Sequence, residues 1–183
     1  DELQGVYNFN LDRYSTKSFG YTDEDKCLVY EVSANSDTTA GAFYKWTEGS
    51  GKDKLSYYKS DFECLYPPTR AAGNDNMSEL IRLIEWVNDS SDEDFKDNFN
   101  RYFNKEYVLR YYLFVLVFGA VDSLGKNMKL ATWDGLTWYP QVYDADTTIG
   151  LDNTGFLKFD MDIEMGDENV FNTTGSVLWR RII

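Results

Sequence analysis

Asp144 and Asp146 stand two residues apart in WYPQVYDADTTIGLDN, where an aromatic run with the composition of a β-strand ends. Because side chains at positions i and i+2 of a strand point to the same face, the two carboxylates are expected to converge. Converging carboxylates repel each other unless a cation lies between them, and a divalent metal is the usual cation. The competing interpretation is that Asp, Thr and Gly only build a turn here. This stretch therefore predicts either a metal site or a turn.

Two further polar residues, Asp122 and Asn127, follow the apolar run in YYLFVLVFGAVDSLGKN. A carboxylate at the end of a buried helix can orient an attacking hydroxyl or accept its proton, and a nearby amide oxygen can bind a metal. A hairpin after Asn127 would return the chain, so that Asp144, with or without Asp146, completes an oxygen shell. Protein kinases place their catalytic Asp, metal-binding Asn and metal-binding Asp in this order. Taken singly, Asp122 could only terminate its helix and Asn127 could only form a turn.

The composition excludes several other kinds of site. The 183 residues contain no histidine, which removes Ser-His-Asp and Cys-His catalysis and histidine-based zinc sites. The formal net charge of −13 argues against nucleic-acid binding, which needs clustered Lys and Arg. Cys27 and Cys64 are too few for a cysteine metal cluster, and we expect two free thiols rather than a disulfide.

The first third of the chain predicts β-structure. Three segments are rich in β-branched and aromatic residues: GVYNFNLDR, KCLVYEVSAN and GAFYKWTE. GSGKDK is a polar connector, and Pro67 and Pro68 make LYPPTRAAGNDN a linker without regular structure.

Three helices are predicted next. Ser78 is the expected cap of ELIRLIEWV, and Ser91 or Asp92 the cap of a helix whose phenylalanines share one face: Phe95, Phe99 and Phe103. The third helix, about 105–121, is apolar on every side towards its end, which predicts full burial. Its apolar run is shorter than the about 20 residues that a membrane crossing needs.

The remainder predicts a hairpin, an acidic loop and a final helix. Asp134-Gly135 between MKLATW and LTWYPQVY is a strong hairpin signal. The acidic stretch up to NTTG lacks the ligand spacing of an EF-hand and is expected to be a solvated loop. SVLWRRII opens like an apolar helix and the first residues look like the middle of a strand, so we expect a piece of a longer protein.

From about residue 63 to residue 182 the sequence resembles the CotH kinase family of spore-coat proteins. The segments that carry the resemblance are DFECLYPP, SELIRLIEWV, FKDNFNRYFNKEYVLRYYLFVLVFGAVD, DSLGKN, YDADTTIG and SVLWRRI. GVYNFNLDR and GAFYKW resemble the last strands of that family's N-terminal lobe. In their general sequence character, YPQVYDADTTIGLDNTG and NTTGSVLW resemble more closely the CotH-like regions that are embedded in phage tail and other virion proteins.

The resemblance implies an α+β, atypical protein-kinase-like fold that transfers phosphate from ATP to protein serines. Residues 1–62 would be the β-rich remainder of an N-terminal lobe, and residues 63–183 a mainly helical lobe that carries the hairpin. Asp122 would be the catalytic aspartate, while Asn127 and Asp144, with Asp146, would hold Mg²⁺ or Mn²⁺. No ATP-binding lysine carries over, and by strand context alone Lys45 could stand in for one. The implied locations are a spore surface or a phage virion.

Two other functions stay open at this point. The aromatic content and the acidic loop also fit a non-catalytic structural module of a phage tail or virion protein, with other subunits of the assembly as partners. The Trp and Tyr residues and the pair Asp122 and Asp144 fit a carbohydrate-binding or glycosidase domain, although the intervening Asn127 is typical of kinases.

Overall fold

A four-stranded antiparallel sheet with helices on one face forms the centre of the protein. The computed structural model describes residues 16–32, 43–120, 123–145, 148–151, 156–157 and 176–183. The strands lie in the order β2-β1-β3-β4. Their ranges are β1 Leu28–Val32, β2 Phe62–Tyr66, β3 Met128–Thr132 and β4 Trp138–Val142. The predicted α+β class is confirmed.

Helices and one π-helical turn connect and cover these strands. Their ranges are α1 Thr16–Phe19, α2 Lys54–Lys59, the π-helical turn Arg70–Asn74, α3 Ser78–Asp89, α4 Asp92–Tyr102, α5 Lys105–Phe118 and α6 Val177–Ile182. Side-chain caps begin three of them, since Asp53, Ser91 and Asn104 each accept a backbone N–H in the first turn of α2, α4 and α5. Gly119, at φ +57°, ends α5 in the left-handed conformation.

The main core lies between one face of the sheet and the helices. The sheet contributes Leu28, Tyr30, Val32, Phe62, Met128, Leu130 and Trp138. The helices contribute Leu80, Leu83, Ile84, Val87, Phe95, Phe99, Val108, Tyr111, Val115, Leu178 and Trp179. On the opposite face, Tyr21 and Cys27 pack over Val29, Tyr66 and Ala131, which covers part of that face with residues that precede β1.

The strand predictions for the first third are only partly correct. KCLVYEVSAN contains β1, whereas GVYNFNLDR lies outside the described residues. GAFYKWTE was expected to be a strand, but residues 43–47 form none. Phe43 has a φ of +85°, and the Trp46 N–H donates to the Tyr58 hydroxyl at 2.9 Å, so a side chain satisfies this backbone group.

The linker prediction for residues 65–76 also needs correction. β2 runs on to Tyr66, and a π-helical turn occupies Arg70–Asn74. Pro67 and Pro68 thus end β2, but the chain after them forms a helical turn rather than an irregular connection.

The predicted helices are present, with one cap corrected. Ser91 caps α4 as expected, and Phe95, Phe99 and Phe103 are buried together. Ser78 does not cap α3 but is its first residue, and its N–H donates to the side chain of Asn76 at 3.1 Å.

The expected full burial of the third helix is wrong. α5 ends at Phe118, and only one side of it faces the core, through Val108, Tyr111 and Val115. The opposite side exposes a row of apolar residues, Leu109 (45%), Leu113 (57%) and Val117 (68%). The reason is that the sheet and α6 contact α5 from one side. None of the helices in the described ranges has the length and apolarity of a membrane-crossing segment.

The predicted hairpin is confirmed. β3 and β4 pair antiparallel from Met128 with Val142 to Thr132 with Trp138. Asp134 Oδ1 accepts the backbone N–H groups of Leu136 at 2.8 Å and Thr137 at 2.7 Å. Partial burial opposes ionisation of Asp134, but these hydrogen bonds outweigh it and lower the pKa of its carboxyl.

Candidate functional site

Asn127 and Asp144 lie at the same end of the β3–β4 hairpin. Asn127 immediately precedes β3, and its neighbour Met128 pairs with Val142, the last residue of β4. Asp144 follows two residues later and is exposed, while Asn127 is half-buried. The hairpin therefore brings an amide and a carboxylate, seventeen positions apart in the chain, to one edge of the sheet.

Both residues adopt the left-handed backbone conformation, with φ of 51° at Asn127 and 52° at Asp144. Asn and Asp tolerate this region better than other residues that carry a Cβ. The expectation that strand alternation aims Asp144 and Asp146 at one face is wrong for Asp144, because β4 already ends at Val142. Asp146 lies outside the described residues.

Asp122 also lies outside the described residues, but the chain on both sides of it is buried. Ala120, Ser123 and Leu124 are each no more than 2% exposed. The Tyr111 hydroxyl donates to the Ser123 carbonyl at 2.6 Å, which ties the segment after Asp122 to the buried side of α5. Burial raises the pKa of Tyr111, so this hydroxyl keeps its proton.

The segment after Asp144 returns to the end of α5. The Ile149 N–H donates to the Phe118 carbonyl at 2.6 Å, and a hydrogen bond from Leu151 N–H to the Thr148 carbonyl at 3.2 Å closes a turn. The turn interpretation of this stretch is thus correct for residues 148–151. α5 thus contacts the segment after β4 at Phe118 and the segment before β3 at Tyr111.

The residues present suit a hard divalent cation such as Mg²⁺. Asn127 and Asp144 offer only oxygen ligands, and Mg²⁺ commonly takes one or two protein carboxylates and completes its shell with water and phosphate oxygens. Within the described ranges, no three Asp, Glu or Cys side chains lie close enough to hold a metal by themselves. A cation here would therefore depend on further ligands, which Asp122, Asp146 or a bound phosphate could provide.

The sequence model of the CotH kinase protein family matches residues 1–183, the whole length of the chain. The chain belongs to the CotH kinase family. The match is to the family as a whole, and the narrower resemblance to versions in phage virion proteins is not borne out. No curated protein matches the chain in sequence.

Within this CotH kinase chain, the structure adds Lys129, a residue that the sequence analysis did not single out. Lys129 is only 6% exposed, and its Nζ lies 4.3 Å from the centre of the Tyr143 ring. Tyr143 directly precedes Asp144. The sequence held one clue, a lysine two residues after Asn127 in a segment whose other residues are apolar or small. A lysine in such a segment indicates a partner for its charge, because Lys is almost never buried without one.

Lys45, the alternative lysine of this CotH kinase chain, lies in a different setting. It is exposed and outside any strand, and its Nζ contacts Asp89 Oδ2 at 2.5 Å at the end of α3. The hydrogen bond to Asp89 raises the pKa of the Lys45 ammonium. The strand context on which its candidacy depended is absent from residues 43–47.

The two cysteines are free thiols, as expected. Cys27 is buried and Cys64 half-buried. Burial raises the pKa of the Cys64 thiol to about 12, with a further contribution from Asp75. Cys64 is therefore protonated at neutral pH and is a poor nucleophile.

Proposed function

We propose that this CotH kinase domain transfers the terminal phosphate of ATP to protein hydroxyl groups, with Mg²⁺ or Mn²⁺ as cofactor. The observation that carries the proposal is the β3–β4 hairpin, which places Asn127 and Asp144 at the same end, because Met128 pairs with Val142. Asp122 precedes Asn127 by five positions, which gives the order in which kinases carry these residues. Kinases need their catalytic and metal-binding side chains on segments arranged in this way.

Each residue has a distinct role in the proposed reaction. Asp122 orients the attacking hydroxyl and accepts its proton, and Asn127 and Asp144, with Asp146, hold the metal. The cation neutralises charge on the phosphates when it is bound. The new bond joins the acceptor oxygen to the γ-phosphorus while the bond from that phosphorus to the β,γ-bridging oxygen breaks, and ADP leaves.

This chemistry depends on positioning and charge rather than on a covalent protein intermediate. It therefore needs no histidine, and the chain has none. The hydrogen bond from the Tyr111 hydroxyl to the carbonyl of Ser123, the residue after Asp122, supports the proposal because a catalytic carboxylate must be held in a fixed place.

The test measures transfer of labelled phosphate from γ-³²P-ATP by the intact protein, to itself and to a serine-rich acceptor, with Mg²⁺ or Mn²⁺. We expect Asp122→Asn to lower the rate by about a hundredfold or more, the range for loss of a general base. Asp144→Asn should abolish the metal-dependent rate. Asp97→Asn, an exposed change on α4, is the matched control and should keep the full rate.

A non-catalytic module of a larger assembly is the alternative, and the exposed apolar row of Leu109, Leu113 and Val117 favours it as a contact surface. No transfer by the wild type, together with no binding of Mn²⁺ or ATP by calorimetry, would reject the kinase proposal in favour of this alternative.

A further inference from the structure

We propose that a groove beside α5 binds an amphipathic helix with acidic flanks from a partner protein. The inference goes beyond the proposed phosphotransfer and does not depend on it. The groove has a volume of about 260 Å³ and lies between α4, the first part of α5 and the last turn of α6. Apolar side chains line it, among them Phe99 of α4, Val108 and Leu109 of α5, and Ile182 of α6.

The exposed apolar row of α5 continues this groove. Leu109 belongs to both, and Leu113 and Val117 follow at intervals of four residues. Residues four apart on a helix form a ridge, and such ridges pack between the side chains of a second helix. From Leu109 to Val117 the row is about 12 Å long, which a partner helix of about ten residues can cover.

Two lysines give the groove a positive charge. The charged residues among its lining are all basic, although the formal net charge of the chain is −13. Lys96 and Lys105 are exposed, and neither is in an ion pair with another of the described residues. Acidic side chains on both sides of an apolar helix face complement these lysines, and such complementarity favours one class of partner over others.

Two ion pairs neutralise further charges near the groove. Arg181 contacts Asp92 at 3.2 Å and also donates to the Val87 carbonyl at 2.6 Å, so it is held as part of the groove wall. Arg110 pairs with Glu106 on the surface of α5. Among the residues that line the groove, the charge that remains is therefore that of the two lysines.

The same features disfavour other occupants. A two-fold dimer would use this face on both copies, and none of the residues that line the groove is an acid that could pair with the lysines of the second copy. An anionic membrane surface repels a protein of net charge −13. In the chain's own acidic stretch, FDMDIEM alternates apolar and acidic residues, so a helix there would lack a single apolar face.

The experiment measures the fluorescence anisotropy of a labelled synthetic peptide with the intact protein. The peptide is a helix of about fourteen residues, with leucines on one face and glutamates on both sides of it. We expect a dissociation constant of about 10–100 μM, since the contact surface is small. A scrambled peptide of the same composition, and one with Lys in place of every Glu, should bind at least about tenfold more weakly.

Exposed positions allow the apolar and the basic part of the surface to be tested separately. Leu113→Lys should weaken binding by about tenfold, because it removes apolar contact area. Lys105→Glu should weaken it by about fivefold at low salt and by less than about twofold in 0.5 M salt, which screens exposed charges. Lys52→Glu, an exposed change of the same charge outside the groove, is the control and should keep the full affinity. Circular dichroism checks the fold of each variant.

The outcomes decide between the occupants. Binding no tighter than that of the scrambled peptide, equal binding of the Lys peptide, or equal binding by Leu113→Lys would overturn the inference. Dimerisation of the wild type in analytical ultracentrifugation that Leu113→Lys abolishes would assign the surface to a second copy. Faster hydrogen exchange of residues 158–171 in Leu113→Lys would assign it to the chain's own acidic stretch. Either assignment would also overturn the inference.

The peptide measurement is independent of the proposed phosphotransfer. Asp122→Asn should bind the peptide as tightly as the wild type does. Peptide binding without any phosphate transfer by the wild type would reject the kinase proposal alone, and transfer without peptide binding would reject this inference alone.

Discussion

At the scale of single residues, two side chains of the candidate site have a left-handed backbone. Asn127 and Asp144, at the same end of one hairpin, have φ of 51° and 52°. Most L-residues lose about 1–2 kcal/mol in this conformation, and Asn and Asp lose less because their short polar side chains can bond locally. Residue type at these positions therefore affects both chemistry and conformation, and a substitution must be chosen to separate the two.

Replacing Asn127 by Gly and by Ala separates them. Both variants remove the amide oxygen, so both should lose metal-dependent phosphate transfer. Gly accepts a positive φ without strain, whereas Ala does not, and we expect Asn127→Ala to be about 1 kcal/mol less stable than Asn127→Gly. Urea denaturation measures the difference. Equal stability of the two variants would mean that the left-handed conformation at Asn127 does not persist in solution.

At the scale of elements, α5 both packs into the core and forms hydrogen bonds with segments next to the candidate site. Its buried side packs against β4 and α6, where Tyr111 and Tyr112 stack on Trp179. Phe118, its last residue, accepts a hydrogen bond from the Ile149 N–H, and Tyr111, in its middle, donates one to the Ser123 carbonyl. Loss of one such bond leaves a buried carbonyl unsatisfied, which costs about 1–3 kcal/mol.

Two tyrosines of α5 make a matched pair for testing this role. Tyr111→Phe removes the hydroxyl that binds the Ser123 carbonyl, and we expect it to destabilise the fold by about 1–3 kcal/mol. Backbone amides of residues 123–127 should also exchange hydrogen faster, as mass spectrometry can measure. Tyr112→Phe keeps the same stacking on Trp179 and should change stability by less than about 0.5 kcal/mol. Unchanged exchange in Tyr111→Phe would contradict the proposed connection between α5 and the Asp122 segment.

At the scale of the whole molecule, one sheet joins distant parts of the chain. β1 pairs with β2 on one side and with β3, a hundred positions later, on the other. The predicted division into residues 1–62 and 63–183 falls inside β2, after its first residue, and would separate most of β2 from its partner β1. This division stays a prediction, but the shared sheet and core argue for joint unfolding of the parts.

We therefore expect a single unfolding transition. Tryptophan fluorescence reports mainly on residues from Trp46 to Trp179, and far-ultraviolet circular dichroism reports on the helices and strands. The two curves should coincide in urea, as they do for cooperative two-state unfolding. Two separated transitions would instead support independent folding of the two predicted parts.

The sequence predicted those features that depend on neighbouring residues. Asp134-Gly135 predicted the hairpin, Ser91 predicted the start of α4, and the phenylalanine spacing predicted its buried face. The order Asp122, Asn127, Asp144 led to the kinase family, which the family match shows. The strand expected in GAFYKWTE is absent from residues 43–47, where the Trp46 N–H donates to the Tyr58 hydroxyl, and no local pattern reveals that long-range contact.

The sequence alone thus determined the residue types of the site and the hairpin that lies between them, because turns, caps and side-chain alternation act over a few residues. Only the tertiary structure decided three further things. It turned one side of α5 outward, it joined β1 to β3, and it aimed the Lys129 ammonium at Tyr143, beside Asp144. These results depend on which distant segments pack together, and burial and charge pairing act through space rather than along the chain.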